Sequence, residues 1–136
     1  MNIMLFSEWA VEPILAGQKT MTRRIRKKGY ANGDVVHLKT AFRGLDFALV
    51  RITADERRER LQDMRMADVP RETGWTIEPD ETVIEFRNSF AAKWDSINTK
   101  PGTRWEDNPL VYVEEFELIE TRVQRGGEIN VRWNGL

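Results

Sequence analysis

Residues 14–28 read Ile-Leu-Ala-Gly-Gln-Lys-Thr-Met-Thr-Arg-Arg-Ile-Arg-Lys-Lys, and they constrain the fold more than any other stretch. An apolar pair, Ile14 and Leu15, leads into Gly17, a helix stop whose backbone accepts positive φ. Six cations follow with no anion among them: Lys19, Arg23, Arg24, Arg26, Lys27 and Lys28. Like charges packed this densely repel one another and must be held apart by other groups. Two hydroxyls, Thr20 and Thr22, lie inside that field, and β-branched Thr favours extended chain. The stretch therefore predicts a turn feeding a strand that carries cations around a candidate nucleophile. Residue types alone leave two readings: an anion-binding strand, or a solvated basic edge that discourages aggregation.

The rest of the chain supplies short strands and few helices. Residues 1–7 read as a first strand, with the apolar run Ile3, Met4, Leu5 and Phe6. Ser7 caps a short helix from Glu8 toward Ala16, which Pro13 limits to one or two turns. Trp9 and Val11 pack that segment onto the core. After the basic strand, Asn32-Gly33 marks a turn. Residues 35–40 and 47–53 read as strands separated by a turn at residues 43–46. Repeated short strands joined by Gly-containing turns predict a barrel or curved sheet. The mixed charge run at residues 55–60 reads as a solvated strand end or ribbon. Residues 61–71 predict a short helix with Met64, Ala67 and Val69 inward, ended by Pro70. From Asp80, taken as the cap, Val83, Phe86/Arg87, Phe90, Trp94 and Ile97 recur at helical spacing, the clearest helix in the chain. Residues 98–109 form a long loop, residues 110–119 the longest strand, and residues 128–133 a last edge strand.

Bulk properties narrow the function classes. A chain of 136 residues fits one domain with a proper core. The net charge of −1 does not announce a nucleic-acid binder, so any basic surface is local. Without cysteine there is no disulfide framework, thiolate nucleophile or sulfur metal site. His37 is the only histidine, flanked by Val36 and Leu38 as a strand residue would be. A zinc site would have to use carboxylates almost alone, which is rare, so no metal or cofactor is expected. No apolar run approaches membrane-spanning length, and the N-terminus lacks the regions of a signal peptide. A soluble, cytoplasmic protein is expected.

For Thr22 to attack an acyl carbon, another group must take its proton. Lys19 can do so only when neutral, and burial together with Arg23, Arg24 and Arg26 would push its pKa down. On a regular strand Lys19 and Thr22 face opposite sides, so the chain must turn near Lys19, as Gly17 permits. A second candidate set is Trp75, Arg104 and Trp105, since a base fits between an aromatic ring and a guanidinium plane. Trp105, in the long loop, is the stacking candidate; a tryptophan that caps the core is the other reading of it.

The pattern Gly17-x-Lys19-x-x-Thr22-x-Arg24 resembles the signature of the ASCH domain, a small β-barrel family related to the PUA domains of RNA-modifying proteins. Phe6-Ser7 and the run Ile-Leu-Ala-Gly-x-Lys-Thr-x-Thr-Arg-Arg are similar to versions carried by many phages and prophages. The resemblance spans residues 4–119 and is concentrated in the motif. It implies an α+β, PUA-like small curved barrel with one long and one or two short helices. Where the family often has Glu, this chain has Thr22. That substitution is similar to the branch that hydrolyses N4-acetylcytidine, in which Lys, Thr and a downstream Glu form the active site. The segment from Leu61 to Glu72 resembles the one leading to that Glu. The resemblance thus implies Lys19, Thr22 and Glu72 as a catalytic set, Glu72 donating a proton to the departing amine. A salt bridge that merely neutralises the patch is the other role for Glu72. Thr20, Arg23, Arg24 and Arg26 would contact a modified nucleoside or single-stranded RNA. A ribonuclease in which Lys19 and Arg24 stabilise a phosphorane, and a non-catalytic RNA adaptor, are the alternatives.

Overall fold

The computed structural model describes residues 1–122. Six strands, β1 (Asn2–Leu5), β2 (Met21–Arg24), β3 (Val35–Lys39), β4 (Ala48–Ile52), β5 (Arg57–Arg60) and β6 (Leu110–Thr121), form one mixed sheet. Its order is β1-β3-β4-β6-β2, with β5 also paired to β6. Only β1 and β3 run parallel; the other pairs are antiparallel. The long β6 organises the sheet: its first half lies between β2 and β5, its second half beside β4. A register shift at Leu49/Val50 marks a bulge, which sharpens local twist. The sheet curls into a half-barrel, the curved α+β architecture expected from the short strands.

Strand alternation places the core. Val36 and Leu38 of β3, with Ala48, Val50 and Ile52 of β4, point inward and are fully buried. With Met4, Phe6, Ala10, Ile14 and Phe116 they belong to one hydrophobic cluster. His37 points to the other side and lies 2.9 Å, Nδ1 to Oδ2, from Asp46. Within the charge run at residues 55–60, residues 57–60 form β5, a strand of alternating half-buried and exposed residues.

Among the described residues, three helices accompany the sheet. After one 3-10 turn (Glu8–Ala10), α1 covers Val11–Leu15 and stops before Gly17, whose φ is +76°. The second helix differs from expectation. Residues 61–63 form a 3-10 turn, and α2 spans Asp68–Thr73 with Pro70 inside its first turn. Proline is tolerated there because first-turn N–H groups have no intrahelical partner, so Pro70 helps start this helix instead of ending one. Ala67, expected inward, is exposed. The long helix α3 covers Val83–Ile97 and is capped by Thr82 in a capping box with Glu85, two residues beyond Asp80. Phe86, Phe90 and Trp94 face a second cluster with Leu61, Met64, Val69 and Val111, whereas Val83 and Ile97 are exposed. The expected strand at residues 128–133 lies outside the described residues.

The end of α2 is tightly fitted. Gly74 takes φ +81° and its N–H donates to the Pro70 carbonyl at 2.7 Å. A Cβ built there would stand 2.9 Å from Pro13 Cβ on α1. Gly74→Ala is therefore expected to cost about 1–3 kcal/mol, from left-handed strain and overpacking together. Urea unfolding of wild type and variant checks this, and an unchanged midpoint would show that α1 moves aside freely.

Candidate active site

A cleft of about 290 Å³ opens where the two clusters meet. Phe6 and Trp9 wall it from the first cluster, Phe90 and Trp94 from the second, and Lys19, Thr22, Arg24 and Glu72 lie between them. The three residues implied as catalytic thus line one concavity with Arg24. Trp75, Arg104, Trp105, Thr20 and Arg26 do not line it.

Lys19 is 3% exposed, which is rare for a lysine. Gly17 turns the chain so that the side chain precedes β2 and meets the cleft. Its Nζ donates to the Met21 carbonyl at 2.8 Å and to the Glu72 carbonyl. Burial, opposed in part by Glu72 and reinforced by Arg24 and Arg23, lowers its pKa to about 8. A neutral amine has two hydrogens and one lone pair. The two carbonyls account for both hydrogens and leave the lone pair unassigned.

Arg23 and Arg24 are neighbours with opposite fates, because adjacent strand residues point to opposite faces. The Arg23 guanidinium is fully buried among three carboxylates, with Glu59 at 2.6 Å, Asp68 at 2.7 Å and Glu72 at 2.8 Å. These carboxylates hold its pKa above the ordinary arginine value despite the opposing effect of burial. β2 ends the sheet path, and α2 covers its free edge. The Arg23 N–H donates to Glu72 Oε2 at 2.7 Å, and the Thr20 N–H to the Arg71 carbonyl at 2.8 Å. Both Glu72 oxygens therefore accept from Arg23. Among the described residues, no group of three or more His, Cys, Asp or Glu is placed to hold a metal ion.

Arg24 shares its face with Thr22. Its Nε donates to Thr22 Oγ1 at 3.3 Å, and its Cζ lies 4.4 Å from the Phe6 ring centroid. Burial lowers its pKa to about 10, with Glu72 and other neighbours acting in both directions. Across the sheet from Thr22 stands Glu114, 2% exposed, which accepts from the Tyr30 N–H at 3.0 Å. Desolvation raises its pKa above the usual carboxylate value.

The remaining candidates lie elsewhere. Thr20 Oγ1 accepts from Arg71 Nε at 3.2 Å. Arg26 is exposed, its Cζ 4.1 Å from the Tyr30 ring centroid. Trp75 and Trp105 pack against the second cluster; Trp105 meets Phe90 edge-on at 6.1 Å, beneath Arg87. Arg104 is exposed, 3.6 Å from Asp95. Sequence reasoning missed Phe6 and Trp9 as cleft walls, and Glu59, Asp68 and Lys93 altogether. Two signals existed: Asp68 and Glu72 are four apart, hence on one helix face, and Lys93 flanks the Phe90/Trp94 stripe.

No family model and no curated protein sequence matches the chain. Solved structures do. A protein from Enterococcus faecalis V583, assigned to the family model DUF984, is similar with TM-score 0.62 and 11% identity, covering 93% of this chain and 85% of that one. An ASCH domain from Lactobacillus crispatus JV V101 is similar with TM-score 0.55 and 15% identity, over 86% of this chain and 78% of that one. A mutant of ZmASCH from Zymomonas mobilis is similar with TM-score 0.52 and 12% identity, over 88% and 73% respectively. At such identities the likeness is one of fold, and that fold is the one ASCH domains adopt. No helix among the described residues is long and apolar enough to cross a membrane.

Proposed function

We propose that this chain is a cytoplasmic nucleoside-binding amidohydrolase of ASCH type that removes the acyl group from N4-acylated cytidine. The observation that carries this reading is Lys19: a buried lysine with a pKa of about 8, both amine hydrogens matched to carbonyls, in a cleft shared with a threonine hydroxyl. A general base poised near neutrality is what hydroxyl activation requires. The volume, about 290 Å³, lies at the small end of ligand pockets and suits one nucleoside.

In the proposed reaction, neutral Lys19 takes the Thr22 proton as Oγ1 attacks the acyl carbon. Arg24, beside Oγ1, stabilises the oxyanion that forms. Collapse breaks the C–N4 bond, and the Lys19 ammonium returns the proton to the departing amine. Water then attacks the acyl-Thr22 ester, giving its proton to Lys19. Collapse breaks the C–Oγ1 bond as the Lys19 ammonium returns that proton to Thr22 Oγ1, releasing the acid and restoring neutral Lys19. The family resemblance gives the proton-donor role to Glu72. With both its carboxylate oxygens accepting from Arg23, we assign Glu72 to positioning: its backbone carbonyl orients Lys19, and its carboxylate ties α2 to β2.

A second reading is single-stranded RNA binding or cleavage, favoured by the guanidinium–ring contacts of Arg26 with Tyr30 and Arg58 with Tyr112. Parallel incubation with N4-acetylcytidine, N4-acetylcytosine and labelled RNA separates the two. Deacylation of the nucleoside is expected, with kcat/KM rising as pH increases and levelling above about 8 as Lys19 loses its proton. Cleaved RNA without deacylation would move the assignment to a ribonuclease. Bound but intact RNA without deacylation would leave an adaptor.

A further inference from the structure

One cation on the cleft wall, Lys93, makes no salt bridge among the described residues, and this points to the charge of the ligand. Lys93, on the inner flank of α3, lines the cleft with its Nζ 4.4 Å from the Trp9 ring centroid. Among the described residues, neither Lys93 nor Arg24 makes a salt bridge, although Glu72 and Glu114 act on Arg24 from farther away. The Trp9 Nε1 donor is buried without a hydrogen-bond partner among the described residues. Meanwhile the carboxylate that lines the cleft, Glu72, directs both its oxygens to Arg23, although its charge also acts on Lys19 and Arg24. The arrangement contrasts with Arg23 itself, which carries three carboxylates.

The aromatic faces are also in use. Arg24 sits over Phe6 and Lys93 over Trp9, with Lys19 Nζ 5.5 Å and 5.6 Å from the same two rings. Aromatic faces hold cations in place without neutralising them. A cation held this way keeps its charge available for a ligand, whereas a salt-bridged one does not. A neutral nucleoside would leave that charge unmatched.

We infer that the cleft takes its nucleoside as a monophosphate, with Lys93 on α3 as the phosphate contact. This rests on the nucleoside reading above and adds the charge state of the substrate. Lys93 belongs to α3 whereas Thr22 and Arg24 belong to β2, so a phosphate at Lys93 and an acyl group at Thr22 would be held by different elements of the cleft wall.

The test compares affinities of the full chain for N4-acetylcytidine and its 5′-monophosphate by calorimetry at fixed ionic strength. The monophosphate is expected to bind roughly 10- to 100-fold more tightly, as a charge-assisted contact gives. Inorganic phosphate should compete with it. In Lys93→Gln the ratio of the two affinities should fall toward one, and Lys93→Arg should restore part of it. If Lys93→Gln does not fold, the wild-type ratio and the phosphate competition still decide. Equal affinities in wild type, with the nucleoside still deacylated, would overturn the monophosphate inference and leave the amidohydrolase reading standing. Failure to bind either compound, with single-stranded RNA bound instead, would overturn both.

Discussion

Arg23→Met should cost about 3–5 kcal/mol of folding stability, the effect of removing one partner from a buried ion-pair group. The guanidinium has no exposed surface, and Asp68 and Glu72 beside it are 5% and 7% exposed at the side chain. Removing Arg23 leaves these carboxylates, and the more exposed Glu59, facing one another without a cation. The Arg23 N–H would survive as one hydrogen bond to Glu72, so the site would lose its centre and keep an edge contact. Arg23→Lys should fall between, because an ammonium cannot reproduce the forked contacts to three carboxylates. Asp68→Asn should cost less than either, since two carboxylates still pair with Arg23. Urea unfolding of the four proteins gives the order directly. An Arg23→Met midpoint equal to wild type would show that Arg23 does not hold α2 against the sheet.

Thr22→Val should lower N4-acetylcytidine hydrolysis roughly a thousandfold or more while nucleoside binding changes little, because the shape is kept and the nucleophile is lost. Thr22→Ser, which keeps the hydroxyl, should retain a measurable fraction of the rate. Lys19→Arg supplies the complementary loss: the charge remains, but a guanidinium does not deprotonate at working pH to act as a base. Since Lys19 is buried, thermal unfolding must accompany that variant to show that the larger side chain is accommodated. Single-turnover rates then decide. If Thr22→Val and Lys19→Arg both keep the wild-type rate, the Lys–Thr pair is structural, and the resemblance carries the fold without the reaction.

Much of the fold was legible because its signals are local. Alternation in residues 35–40 and 47–53, the Asn32-Gly33 turn and the apolar run after Leu110 each correspond to an observed element. The stripe Phe86, Phe90 and Trp94 was likewise plain, since a long helix repeats its buried face. The short helix was misplaced because proline stops a helix in its interior and suits its first turn, and the local sequence around Pro70 does not say which applies. Trp105 shows the same limit from another side. A loop tryptophan looks available to a ligand until the surface beneath it is known, and here Phe90 lies there.

What the sequence by itself determined is the kind of material available: a β-rich chain, a turn at Gly17, a dense cation run and a hydroxyl within it. Only the tertiary structure decided what each cation is for. Arg23 and Arg24 are adjacent and chemically identical, yet one is locked among Glu59, Asp68 and Glu72 while the other makes no salt bridge among the described residues and donates to Thr22 beside the Phe6 ring. Strand geometry guarantees that they part company, but which side meets carboxylates depends on where α2 and β5 lie. Glu59 and Glu72 are 36 and 49 residues from Arg23 along the chain. Lys19 needed the same long-range packing, since its low pKa comes first from burial that no neighbour in sequence supplies. Charge is written locally, but desolvation and pairing are properties of the assembled fold.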